Sequence, residues 1–170
     1  EINNKKIIAT LSIGVDHIDN SFFESNLIKV INCQTSNVIS VAEHIFSLIL
    51  SSKKRIIEAN DIAMNGGTKK DLSARSNDIS NSTIGIMGAG KISREVIKIA
   101  NVFNMKIYCN TLNPEKHKDL LEQDIEFLSL DELLSNSDII TVNIPLNEEN
   151  KNLISKDKIK LMKKTATFIN

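Results

Sequence analysis

Residues 83–93, TIGIMGAGKIS, constrain the fold more tightly than any other stretch. An apolar strand runs into a glycine turn, and a helix begins directly after it. Gly88 permits a tight turn out of the strand. Gly90 lets the backbone approach a ligand with no Cβ in the way. The N–H groups of Lys91 and Ile92 then open the helix, where unpaired donors and the helix dipole favour an anion such as a pyrophosphate. A dinucleotide fingerprint reads G-x-G-x-x-G, and Ser93 holds the third place, where a glycine lets helix and strand pack closely. The flanking strand and helix supply the context that a bare glycine motif lacks. The competing reading is a structural turn in some other α/β sheet.

The segments that follow alternate. Strand Thr83–Met87 leads to a helix over 91–103, strand Lys106–Asn110, a helix from Pro114 to about 123 and a short strand over 125–127. Ser129 and Glu132 have capping-box spacing for a helix over 130–135. A strand over 138–142, a helix over 155–162 and a strand over 165–170 complete the series. This rhythm means a parallel sheet covered on both faces. Upstream, 7–11 and 27–32 read as short strands. Apolar periodicity from Val41 predicts one long helix over 41–64, with a capping box at Ser40 and Glu43 and a stop at Gly66 and Gly67. Residues 68–82 are polar and aperiodic, a surface connection. The α/β unit is expected to begin between about 36 and 40.

Composition narrows the function. The chain has 170 residues, 41% hydrophobic and 25% charged, as a soluble globular protein would. Lys plus Arg and Asp plus Glu number 21 each, so nothing points to a nucleic acid. The longest apolar run, VISVAEHIFSLIL, is too short to span a membrane. No signal peptide is read at the start. Cys33 and Cys109 lack metal-ligand spacing and read as reduced thiols of a cytoplasmic protein. Of the histidines, His44 lies among apolar helix residues and reads as partly buried and structural. His117 lies among charges and reads as solvated. His17 stands beside Asp16 and Asp19 in a turn and is a weak acid–base candidate. An NAD site usually has an acidic residue about 20 positions past the glycines, holding the ribose. Asn110 and Thr111 stand there instead. Thr111 can hydrogen-bond a ribose, and no carboxylate would repel a 2′-phosphate, so NAD and NADP both remain open.

Taken together, SIGVDHID (12–19), VINCQTSNVISVAEH (30–44), TIGIMGAGKIS (83–93), NVFNMKIY (101–108), LDELLSNSDIITVNIPLNEENKNLI (130–154) and LMKKTATFIN (161–170) resemble the D-isomer-specific 2-hydroxyacid dehydrogenases. The match covers nearly the whole chain in order and spacing. It implies a doubly wound parallel sheet, a Rossmann-type NAD(P)-binding domain over 38–170, incomplete at its C-terminus. Residues 1–37 would belong to a second, flavodoxin-like catalytic domain. The resemblance further implies reversible reduction of a 2-oxo acid to a 2-hydroxy acid with NAD or NADP. The backbone at Ile13 and Gly14 would hold the substrate carboxylate. Gly88, Gly90, Lys91 and Ile92 would hold the pyrophosphate, Thr111 would face the ribose, and the loop with Asn143 and Pro145 would lie along the cofactor.

There are departures. The family often has His where Asn143 stands and Gly where Thr35 stands. Its catalytic Arg, Glu and His fall beyond Asn170, so the chain reads as an internal fragment with no catalytic residue of its own. A homodimer built on the long helix is expected. Transcriptional corepressors on the same fold are the non-enzymatic alternative.

Overall fold

The computed structural model describes residues 6–11, 18–19, 21, 28–33 and 36–170. Ile13, Gly14, His17 and Thr35 lie outside the described residues. Strands β1 (Ile7–Thr10) and β2 (Lys29–Asn32) pair in parallel as a two-stranded sheet of their own. A five-stranded sheet holds β3 (Thr83–Met87), β4 (Lys106–Asn110), β5 (Glu126–Phe127), β6 (Ile139–Val142) and β7 (Thr167–Ile169). Its order is β5-β4-β3-β6-β7 and every neighbouring pair is parallel. The chain winds outward from β3 to β5, then returns to place β6 on the other side of β3. That reversal makes the crevice between β3 and β6 a topological switch point.

Both faces of the sheet are covered, because alternate residues of each strand point opposite ways. Ile84, Ile86, Ile107, Cys109, Ile139 and Ile169 join one core. Helix α1 (Val38–Lys53) contributes Ala42, Ile45, Phe46 and Ile49 to it, and α3 (Lys91–Val102) contributes Val96, Ile97 and Ala100. Leu120 of the short α4 (Lys118–Leu121) completes this side. Phe46 stacks on Phe103 with ring centroids 5.8 Å apart. Met87 and Ile140 point the other way, to Leu133 and Leu134 of α5 (Leu130–Asn136) and to Ile154 and Met162, which flank α6 (Lys156–Leu161). Each fully buried Ile or Leu contributes roughly 1.5–3 kcal/mol, so these two clusters supply most of the driving force.

The expected long helix is two helices. α1 begins at Val38, and α2 (Ile56–Met64) follows a break at Arg55, which adopts a left-handed conformation with φ 54°. The Arg55 side chain bonds Glu58 and the Ser73 hydroxyl, and Ser73 N–H donates to Glu58 at 2.7 Å. Those bonds tie α2 to the polar segment beyond it, a tertiary reason for the break that local periodicity does not carry. The Arg55 hydrogen bond and the Ser73 contacts hold the Glu58 carboxyl down at about 2. The Ser40–Glu43 capping box does not form, because both residues lie inside α1. The box at Ser129 and Glu132 does form. Residues 68–82 include one turn of 3-10 helix, Lys69–Asp71, capped by Thr68. Gly85 in β3 makes room for α5: a Cβ there would lie 2.6 Å from Leu133 Cδ2.

Candidate functional site

The site is built where β3, β4 and β6 end. Met87 closes β3, and Gly88 then takes φ +99°, a region that L side chains rarely adopt. Its N–H donates to Asn110 O at 2.8 Å, and Asn143 N–H donates to Met87 O at 2.9 Å. The turn is thereby tied to the carboxyl ends of both neighbouring strands. A Cβ on Gly88 would lie 2.9 Å from Ile144 Cγ2 and 3.1 Å from Asn143 O. The glycine here serves the protein's own packing.

Gly90 differs. It caps α3 in an extended conformation, and a Cβ there would meet no protein atom within 4 Å. Nothing in the fold requires a glycine at 90; what its missing side chain leaves is space beside the first turn of a helix. That helix has no side-chain cap. Helices α5 and α6 start under a serine hydroxyl, Ser129 and Ser155, whereas α1, α2 and α4 have, like α3, no side-chain cap. The leading N–H donors of α3 are therefore available to an anion. Lys91 is exposed and Ile92 half-buried at this turn.

A cleft of about 830 Å³ opens beside the turn. Ile92 lines it from α3; Ser40, Val41, His44 and Leu48 line it from α1. Asn143, Ile144 and Pro145 border it after β6, and Ile169 and Asn170 at the end of β7. The expected site residues Ile92, Asn143 and Pro145 thus share one cavity. His44 corrects the reading from its neighbours: it is exposed on α1 and lines this cleft. Periodicity at 37, 41, 44 and 48 was the available signal, since those positions share a helix face. The other expected site residues, Gly88, Gly90, Lys91 and Thr111, do not line this cleft. A second hollow, of about 860 Å³, lies between α1, α2 and β7.

At the end of β4, Asn110 Nδ2 donates to Leu128 O at 2.9 Å. Thr111 is half-buried, and its hydroxyl makes no hydrogen bond to a described residue. Beyond it, Arg94 pairs with Asp119 and stands 3.3 Å from His117 Nδ1. His117 is half-buried against this pair, not simply solvated. The Cys109 thiol is buried and lies 3.7 Å from Gly88 O; burial pushes it up to about 11, so it is no nucleophile. Among the described residues no group of His, Cys, Asp and Glu side chains could hold a metal ion.

Ser93, at the third fingerprint position, is fully buried, and Asn143 Nδ2 donates to its Oγ at 3.3 Å. Thr141 Oγ1 in turn donates to Asn143 Oδ1 at 3.1 Å. Sequence reading treats Ser93 and Asn143 as two separate departures; the fold puts them in contact across 50 residues.

Residues 46–170 match the model of the D-isomer specific 2-hydroxyacid dehydrogenase NAD binding domain. The chain is 34% identical to a glyoxylate reductase of Thermococcus onnurineus over 97% of its own length and 51% of the relative's. Among solved structures it is similar to D-lactate dehydrogenase from Aquifex aeolicus complexed with NAD and lactic acid, with TM-score 0.89 and 33% identity over 97% of this chain and 49% of that one. It is also similar to an acyclic imino acid reductase in complex with NADPH and D-Arg, with TM-score 0.88 and 30% identity over 97% and 52%. The chain spans about half the length of these relatives. No helix among the described residues is long and apolar enough to cross a membrane. With a five-stranded parallel sheet, a glycine turn at its switch point and a family match over most of its length, this chain belongs to the D-isomer-specific 2-hydroxyacid dehydrogenases, an oxidoreductase family, through their NAD-binding domain.

Proposed function

We propose that the chain is the cofactor-binding part of an enzyme that moves a hydride between NAD(P)H and a small 2-oxo or 2-hydroxy acid. The observation that carries the reading is Gly90: an uncrowded glycine capping a helix whose N-terminal donors have no side-chain cap, beside a cleft at the switch point. A pyrophosphate fits that space, held by N–H groups of Gly90, Lys91 and Ile92, with Gly88 shaping the turn. Thr111 offers its hydroxyl to the adenosine ribose. Asn143 and Pro145 border the cofactor in the cleft. When bound, the nicotinamide supplies the hydride, and the protein's part is to orient it and keep water away.

Residues 1–37 belong, in this reading, to a substrate domain, with the backbone at Ile13 and Gly14 receiving the substrate carboxylate, and 38–170 to the cofactor domain. In this reading none of residues 1–170 is the acid–base group or the oxo-acid-binding arginine. A positioned acid is worth about 10²–10⁴-fold, so residues 1–170 alone should turn over no oxo acid.

The test titrates the full-length gene product with NADH and NADPH by fluorescence, then assays glyoxylate, hydroxypyruvate and pyruvate. Tight cofactor binding with turnover supports the reading. Binding without turnover of any oxo acid supports a corepressor-type role instead. Absence of binding overturns both.

A further inference from the structure

We infer that Ser93 and Asn143 act as one unit, a hydrogen-bonded strut that positions the cofactor-facing loop after β6. The inference rests on the cofactor reading above. A serine hydroxyl with no solvent exposure needs a partner, because burial strips its hydrogen bonds to water and an unpaired hydroxyl gets nothing in exchange. Asn143 Nδ2 supplies that partner at 3.3 Å. The amide is held from its other end, where the buried Thr141 hydroxyl donates to Oδ1 at 3.1 Å. The amide is therefore fixed in orientation as well as position, with its oxygen facing Thr141 and its nitrogen facing Ser93.

The strut spans the two parts of the site. Ser93 sits on the first turn of α3, one residue past Ile92. Asn143 leaves β6 and borders the cleft together with Ile92 and Pro145. The same loop touches the glycine turn at two more points: Asn143 N–H donates to Met87 O at 2.9 Å, and Asn143 O and Ile144 Cγ2 crowd the space where a Gly88 side chain would lie. Backbone contacts set the start of the loop, and the strut sets its distance from α3. That distance is the width of the cleft between α3 and the loop. On the other face of the sheet, Gly85 makes a separate close approach, of β3 to α5. Ser93 thus stands at the third fingerprint position with a hydrogen-bonding task, and Asn143 is its partner.

The experiment uses Ser93→Ala, Asn143→Ala and the double variant in the full-length gene product. NADH affinity is read by fluorescence. Each single change should weaken NADH about tenfold. The double change should cost no more than about tenfold, against about a hundredfold for independent sites. Multiplying effects would overturn the strut. Hydrogen exchange of the backbone amides of 143–146 is measured without cofactor. Faster exchange in each single variant is expected, and unchanged exchange would overturn the strut even if the protein binds no NADH. Failure of the unmutated protein to bind NADH would instead overturn the cofactor reading.

Discussion

The Asn110 side-chain amide donates to the Leu128 carbonyl at 2.9 Å, tying the end of β4 to the chain that leaves β5. Asn110 is therefore occupied, and Thr111, whose hydroxyl bonds none of the described residues, stands at the position where an acidic residue commonly meets a ribose. Thr111→Asp should shift the ratio of kcat/KM for NADH over NADPH at least tenfold toward NADH. A carboxylate pairs with both ribose hydroxyls and repels a 2′-phosphate. Steady-state kinetics with both cofactors checks this; an unchanged ratio would mean another residue reads the ribose.

The two glycines of the turn should separate cleanly. Gly90→Val places its Cβ where no atom of a described residue lies within 4 Å and gives up only the N-cap preference of glycine over valine, so Tm should fall by no more than about 4 °C. NADH binding should be lost, because the added side chain occupies the pyrophosphate space. Gly88→Ala should do the reverse first: at φ +99° and 2.9 Å from Ile144 it should cost about 1–3 kcal/mol and lower Tm by several degrees. Thermal unfolding and fluorescence titration of both variants decide it.

Asp138 anchors the opposite end of the sheet. Its carboxylate accepts Thr83 N–H at 3.0 Å and Lys163 Nζ at 2.8 Å, and its carbonyl accepts Lys53 Nζ at 3.3 Å. Burial alone would raise its pKa, but the Lys163 and Thr83 hydrogen bonds and the nearby lysine charges outweigh burial and hold it below the ordinary 3.8. A depressed carboxylate contributes stability that is present above its unfolded value and lost as pH falls through its folded value. Asp138→Asn should lower stability by about 1–2 kcal/mol at neutral pH and flatten the acid side of the stability profile below pH 3.8. Denaturant unfolding between neutral pH and pH 2.5, a range set by ordinary carboxylate titration, measures both.

Helix α2 buries none of its side chains, and Ile56, Ile57 and Met64 are 52%, 70% and 79% exposed. An apolar surface of this kind on a helix is suited to a second subunit. The full-length protein should sediment as a dimer at micromolar concentration, and Ile57→Asp should shift it toward monomer with Tm little changed. A monomeric unmutated protein would remove the dimer.

Periodicity and the glycine turn sufficed for the sheet. Strand pairs of alternating apolar residues, helices between them and a turn that only glycine makes easily leave few ways to bury two faces, and the β5-β4-β3-β6-β7 order is one of them. The Ser129 box was equally local, since both partners lie within one turn. What local reading could not reach were contacts between residues distant in sequence. The break at Arg55 depends on Ser73, and the cleft face of His44 depends on where β6 and β7 end. The pairing of Ser93 with Asn143 depends on α3 and β6 meeting across the switch point. A sequence states the residue types at 93 and 143, but only the tertiary structure closes the distance between them to one hydrogen bond. A buried hydroxyl then turns two separate departures into a single arrangement.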